Sequence, residues 1–203
     1  YDFSLEYWRE VQGFYAGDTD GYDGRYVKLA PRSPAAAGHP LGGWHAPKQR
    51  PGIPLWGAGT SGPGVAHSVQ LLDVYLSFAD TPPKLGEKFR KVAAEAAKIG
   101  RELSFGTRLQ IIVRETEEEA WAHAEKLLQR TSLQTARASI ERQLPPGETL
   151  DSFHSDDPQI QRNVEAIRAG RLPKARDLEI YPNVWLGPSL FGFNILGPAA
   201  GTY

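Results

Sequence analysis

Two stretches of the chain carry residue types that plain packing does not call for. The first is GTRLQIIVRETEEEAW, residues 106–121, an apolar strand pattern holding Arg108 and Gln110 two positions apart before it gives way to a helix at Thr116. Side chains alternate along a strand, so Gly106, Arg108, Gln110 and Ile112 are expected on one face and Phe105, Thr107, Leu109 and Ile111 on the other. A cation on an inward face needs a partner, because an unpaired buried charge costs several kcal/mol. Arg108 therefore either pairs with a carboxylate of a neighbouring strand or receives an anion. For Gln110 the plainest reading is an inward amide that satisfies a neighbour.

The second stretch is GAGTSG, residues 57–62, directly after the short apolar run IPLW. A turn from a parallel strand into its following helix is expected there. Small residues let the backbone approach an anion, and Thr60, Ser61 and the first N–H groups of the helix can hydrogen-bond a phosphate. Glycine-rich turns also arise for steric reasons alone, and the missing Lys excludes a P-loop. Other chemistries lack their residues. The five His have no metal-ligand spacing, there is no G-x-S-x-G elbow, and the absence of Cys excludes thiolate ligands, disulfides and a Cys nucleophile.

The surrounding pattern says what must position these groups. SLEYWREVQGFYAG, from Ser4 to Gly17, has Leu5, Trp8, Val11 and Tyr15 at helical spacing. An Asp-Gly turn signal in GYDGRYVKL predicts a small hairpin. Residues 31–54 are rich in Pro, Gly and Ala without periodicity, which predicts a long loop. IPLWGAGTS and LLDVYLSFAD read as strands. PPKLGEKFRKVAAEAAKIG reads as a helix with Leu85, Phe89, Val92, Ala93 and Ala96 on one stripe and Gly100 at its end.

LSFGTRLQIIVRE is the third strand. The next helix opens on Thr116 and Glu119 at capping-box spacing, with three glutamates at the positive end of its dipole. Further helices are expected over 132–142 and from Pro158, behind Asp156 or Asp157, to Gly170, whereas the apolar tail LEIYPNVWLGPSLFGFNILGPAAGTY is too irregular for strand assignment. Strand and helix in alternation predict an α/β fold with a parallel sheet and right-handed crossovers. Three parallel strands leave edges with unpaired N–H and C=O groups, which something outside the chain or its own loops must cover.

Composition narrows the class further. The chain has 203 residues, 40% of them hydrophobic, with 23 Lys+Arg against 24 Asp+Glu. A net charge of −1 gives no electrostatic footprint for nucleic acid or an anionic membrane. No apolar run reaches the roughly 18 residues of a membrane span, and no charged-then-apolar leader appears. A cytoplasmic protein is expected. The chain lacks Met and begins at Tyr1 inside a helical pattern, so a natural start elsewhere is expected too.

IPLWGAGTS, DVYLSFADTPP, GRELSFGTRLQIIVRETEEEAW and LEIYPNVWLG occur in the order and spacing of the bacterial luciferase-like flavin monooxygenases, and most resemble the alkanesulfonate monooxygenase branch. The resemblance runs from Ser4 into the tail. It implies one TIM (β/α)8 barrel domain over 1–203, cut at both ends, comprising strands 5 to 7 with their helices and the insertion before strand 8. It also implies reduced FMN delivered by an NAD(P)H-dependent flavin reductase, O2 as co-substrate, a small organic substrate with organosulfur compounds as one class, and a homo-oligomer. A deazaflavin F420 oxidoreductase of the same fold is the alternative cofactor reading, and a non-catalytic α/β module that binds a phosphorylated ligand or a partner is the alternative from another class.

Carried over by position, Gly59, Thr60 and Ser61 match the turn that holds the flavin phosphate. Arg108 matches the strand 7 arginine assigned to substrate or peroxyflavin binding, and Gln110, taken with Arg108 as the catalytic pair, stands where the sulfonate enzymes have a His two residues past that arginine. Phe78 stands where they have a Trp at the end of strand 6. Gly197 replaces a mobile-loop arginine if the tail is aligned on its GT. These exchanges put a sulfonate substrate in question while leaving the flavin chemistry, which belongs largely to the cofactor.

Overall fold

The computed structural model describes residues 1–18, 20–31, 47–49, 52–142, 144, 146–187 and the backbone of 198–202. The expected loop over 31–54 and the aligned Gly197 lie wholly or largely outside the described residues. The chain divides into two compact units, one of residues 1–76 and 88–106, the other of 77–87 and 107–203.

The first unit opens with helix α1 (Asp2–Ala16), which ends at Gly17 in the left-handed conformation with φ 98°. Strands β1 (Tyr22–Asp23) and β2 (Lys28–Leu29) form the expected antiparallel hairpin. Strand β3 (Trp56–Gly57) runs parallel to β4 (Val74–Phe78), with Trp56 opposite Val74 and Gly57 opposite Tyr75. Helix α2 (Gly62–Leu71) is the crossover between them, and helix α3 (Pro82–Ala97) leads from β4 to β5 (Ser104–Arg108). The sheet order is β3-β4-β5. Arg101 closes the far end of α2 by donating to the carbonyls of Val69 and Leu72 at 2.7 and 3.0 Å.

Alternation along β4 and β5 separates the two sheet faces. Tyr75 and Phe105 join Val69, Leu72, Phe89, Val92 and Ala96 in the helix-side core. Of the predicted α3 stripe, Val92 and Ala96 are buried and Ala93 is exposed. The opposite face carries Val74, Leu76 and Gly106, where a Cβ on Gly106 would lie 2.8 Å from the Leu76 side chain. Trp56, 65% exposed, aligns with Val74 on that face.

In the second unit, strand β6 (Gln110–Arg114) leads into helix α4 (Glu117–Leu128), where the Thr116 hydroxyl accepts from the Glu119 N–H at 3.2 Å, one half of the expected capping box. Helix α5 (Leu133–Glu141) follows, then α6 (Pro158–Arg168), whose N-cap is Asp157. Their buried faces, with Trp121, Leu128, Ile140, Leu150, Val164, Leu178 and Trp185, form the second core. Trp121 packs as its position on α4 implies: its indole N–H donates to the Asn183 side chain at 3.2 Å and the Arg176 guanidinium lies 4.2 Å over its ring.

Two expectations need correction. The tail reads as irregular, yet it supplies β7 (Glu179–Tyr181), β8 (Val184–Trp185) and β9 (Pro198–Thr202), joined with β6 in the order β6-β9-β8-β7. Its strands are defined by pairing across the sheet, which Gly and Pro punctuation hides from a periodicity argument. β6 and β9 are parallel, with Gln110 opposite Pro198 and Arg114 opposite Thr202, while β7–β8 and β8–β9 are antiparallel. Asn183 turns the β7–β8 hairpin at φ 60°, a conformation Asn tolerates better than most residues.

The second correction concerns the strand across 103–115, which is broken at Leu109. In β5 the odd-numbered Phe105 faces the helices, whereas in β6 the even-numbered Ile112 is in the core at 8% exposure and Ile111 is 61% exposed. The alternation slips by one residue where the chain leaves one sheet for the other. Ile112→Ala should therefore cost about 2–4 kcal/mol, while Ile111→Ala should stay within about 0.5 kcal/mol. Urea unfolding of the two variants decides the phase, and equal losses would remove the slip.

Candidate functional site

Between β3 and α2 the chain has four residues, Ala58 to Ser61, in which to turn. A Cβ on Gly59 would lie 2.8 Å from the carbonyl carbon and oxygen of Gly64, so the turn folds flat against the first turn of the helix only because position 59 has no side chain. Gly64 answers from the other side, where a Cβ would come within 3.2 Å of the Gly59 Cα. Ser61, in extended conformation with ψ 155°, is the N-cap and accepts from the Gly64 N–H at 3.1 Å. Tyr75, on the adjacent strand, donates its hydroxyl to the Gly59 carbonyl at 2.6 Å.

The free donors can be counted from this arrangement. Pro63 has no N–H and the Gly64 N–H is engaged, while the N–H of Gly62 finds no acceptor among the described residues. The hydroxyls of Thr60 and Ser61 remain able to donate. No acidic side chain stands in the first turn of α2 to satisfy the positive end of its dipole. A Cβ on Gly62 would meet nothing within 4 Å among the described residues, so the helix start is open at that position, while the Tyr1 hydroxyl lies 3.2 Å from where a Cβ on Gly64 would stand. Hydroxyls, an N–H, an unneutralised helix start and open space suit an anion with several acceptor oxygens.

The remaining sequence-predicted residues lie in the second unit. Phe78, the last residue of β4, is 51% exposed, and Arg108, the last residue of β5, is also exposed. The Thr107 hydroxyl donates to the Ser77 carbonyl at 3.3 Å, which sets these two strand ends side by side. Arg108 has no hydrogen-bond or ion-pair partner among the described residues, so the neighbouring carboxylate that would make it a purely structural cation is not seen there.

Gln110 begins β6 beyond the break at Leu109. It shares the parity of Ile112 and Arg114 and lines a cavity of about 300 Å³ with His123, Leu127 and Trp185. His123 is held below the ordinary histidine range by desolvation first, then by the charges of Arg114, Lys126 and Arg130. The structure thus brings Phe78 and Arg108 together at neighbouring strand ends and places Gln110 in a different strand and sheet. Tyr75 and Gly64 escape sequence reasoning, since an apolar-strand Tyr reads as core and a helical Gly as a weakness.

A family model described as luciferase-like monooxygenase matches residues 2–186. The chain belongs to the luciferase-like monooxygenase family. Among solved structures, DmoA from Hyphomicrobium sulfonivorans is similar over 98% of this chain and 45% of its own, with 16% identity and a TM-score of 0.57. The long-chain alkane monooxygenase LadA is similar over 78% of this chain and 41% of its own, with 16% identity and a TM-score of 0.54. At that identity the likeness establishes the fold, and the chain spans less than half the length of either protein. The fold is the luciferase-like TIM-barrel type, present here as an α/β arrangement whose sheets do not close among the described residues.

The glycine contacts give a direct test. Gly59→Ala should lower stability by about 1–3 kcal/mol, because the obstructing atoms belong to backbone. Gly62→Ala, with open space and a helical position, should be neutral or stabilising by up to about 1 kcal/mol. Thermal melts of the two variants measure the difference, and a silent Gly59→Ala would show that the turn is not closely packed.

Proposed function

We propose that this chain is the flavin-phosphate-holding part of an FMNH2-dependent two-component monooxygenase. The observation that carries the reading is the β3–α2 turn, whose donors and helix start suit a phosphate monoester. Thr60 and Ser61 donate their hydroxyls to its oxygens, Gly59 keeps the turn flat, and the α2 dipole favours the dianion. The two units belong to one barrel domain in this reading.

Reduced flavin, when bound, supplies the O2 activation and the transferable oxygen atom. The chain's own residues bind and orient. Arg108, a cation without a partner among the described residues, at a strand end beside an exposed Phe78, suits a small organic molecule with a polar or anionic head and an apolar body, organosulfur compounds among them. Gln110 supplies an amide that donates and accepts but does not titrate, so any proton transfer falls to another group. The reading entails an NAD(P)H-dependent flavin reductase as the source of FMNH2, assembly as a homo-oligomer and a cytoplasmic setting. No described helix is long and apolar enough to cross a membrane.

Anaerobic titration with reduced FMN, followed by tryptophan fluorescence with circular dichroism as the folding control, tests the proposal. Saturable binding is expected, weakened about tenfold by Thr60→Ala or Ser61→Ala, the loss of one charge-assisted hydrogen bond. Binding of reduced F420 with none of FMN would move the chain to the deazaflavin oxidoreductases. A folded chain that binds neither would favour the non-catalytic module. Since active sites on this fold draw residues from several strand ends, the 203-residue chain alone is expected to oxygenate at background rate.

A further inference from the structure

The hydroxyl of Tyr75 has a task that core packing does not explain. Tyr75 is 1% exposed on β4, its ring meeting Phe89 and Phe105 edge-on at centroid distances of 6.5 and 6.2 Å, so a phenylalanine would fill the same space. Its oxygen reaches across to β3's end and donates to the Gly59 carbonyl at 2.6 Å. The parallel register that sets Gly57 opposite Tyr75 puts the hydroxyl within reach of the turn two residues later. Burial pushes this phenol up, with the bond to Gly59 acting the other way, so it stays a protonated donor through the neutral range.

The consequence runs through the peptide plane. In a trans peptide the C=O of one residue and the N–H of the next point in opposite directions. A Gly59 carbonyl held toward the helix-side core therefore aims the Thr60 N–H away from it. That N–H has no acceptor among the described residues. Glycine resists such a peptide rotation less than any other residue, so the orientation has to be imposed from outside.

We infer that Tyr75 is a positioning residue for the anion-receiving turn, its hydroxyl fixing the Gly59–Thr60 peptide so that the Thr60 N–H is presented to a phosphate monoester. This rests on the flavin-phosphate reading of the turn. It adds a backbone donor and a residue that never touches the ligand. It also separates what the Tyr75 ring does, packing, from what its oxygen does.

The test compares FMN with riboflavin, which lacks the phosphate, on the wild-type chain and on Tyr75→Phe and Phe89→Leu. The wild type is expected to prefer FMN. Tyr75→Phe should cut FMN affinity about tenfold, the loss of one hydrogen bond to a charged group, and leave riboflavin affinity unchanged, so that the preference collapses. Phe89→Leu loosens the same core without touching the bond and should lower the melting temperature while keeping the FMN-to-riboflavin ratio. A Tyr75→Phe chain that retains the wild-type ratio, or loses both ligands equally, overturns the role of the hydroxyl and leaves the phosphate reading standing. A wild-type chain with no preference for FMN overturns the phosphate reading and this inference with it.

Discussion

The contact between Gly59 and Gly64 is the constraint on which the first unit is built. A parallel strand must pass the chain to a helix on one face of the sheet and recover it for the next strand, and here only Ala58 to Ser61 are available for the first step. Two residues without side chains meet at a separation where a Cβ would stand 2.8 Å from backbone atoms. That approach brings Ser61 to the N-cap position, sets the start of α2, and leaves the Gly59 carbonyl where Tyr75 can reach it. A larger residue at position 59 would displace the helix start, and the hydroxyls of Thr60 and Ser61 would move with it.

The same geometry gathers hydrogen-bond donors at a helix start from residues that carry no charge. A helix start with no acidic residue in its own first turn and with one N–H removed by proline is a partial positive charge with few partners within the helix. Membership of the luciferase-like monooxygenases gives this turn a chemical context, while similarity at 16% identity to DmoA and LadA speaks for the fold they share. The sheet face beside it, with Trp56 exposed opposite the helix-side core, is the face that a closed sheet would turn inward.

In the second unit the organising feature is the change of phase at Leu109. A strand that ran unbroken from Ser104 to Arg114 would hold Arg108 and Gln110 on one face. The observed chain instead gives Arg108 to the end of β5 and begins a new strand, with Ile112 turned into the core of α4, α5 and α6. Arg108 thereby escapes burial with no carboxylate partner among the described residues, which answers how an otherwise apolar stretch can carry a cation: at a strand end it is exposed. Gln110 gains a setting of its own beside His123 and Trp185.

Local rules settled much of this protein. Helix α4 is determined by its cap and its glutamates, α6 by Asp157 and Pro158, and the end of α1 by Gly17, because each depends on atoms within a few residues of one another, whereas the Asp-Gly hairpin also has its Tyr26 and Val27 N–H groups held by Glu6. The glycine turn was legible for the same reason, and the order of elements fixed the α/β class. Tertiary structure alone decided the strands of the tail, the break at Leu109 and the bond from Tyr75 to Gly59. Strand identity and register are properties of pairs distant in sequence, and a hydroxyl 16 residues from its acceptor leaves no periodic trace. Spacing could propose that Arg108 and Gln110 share a face, but only the packing of Ile112 against its own helices could say where the alternation slips.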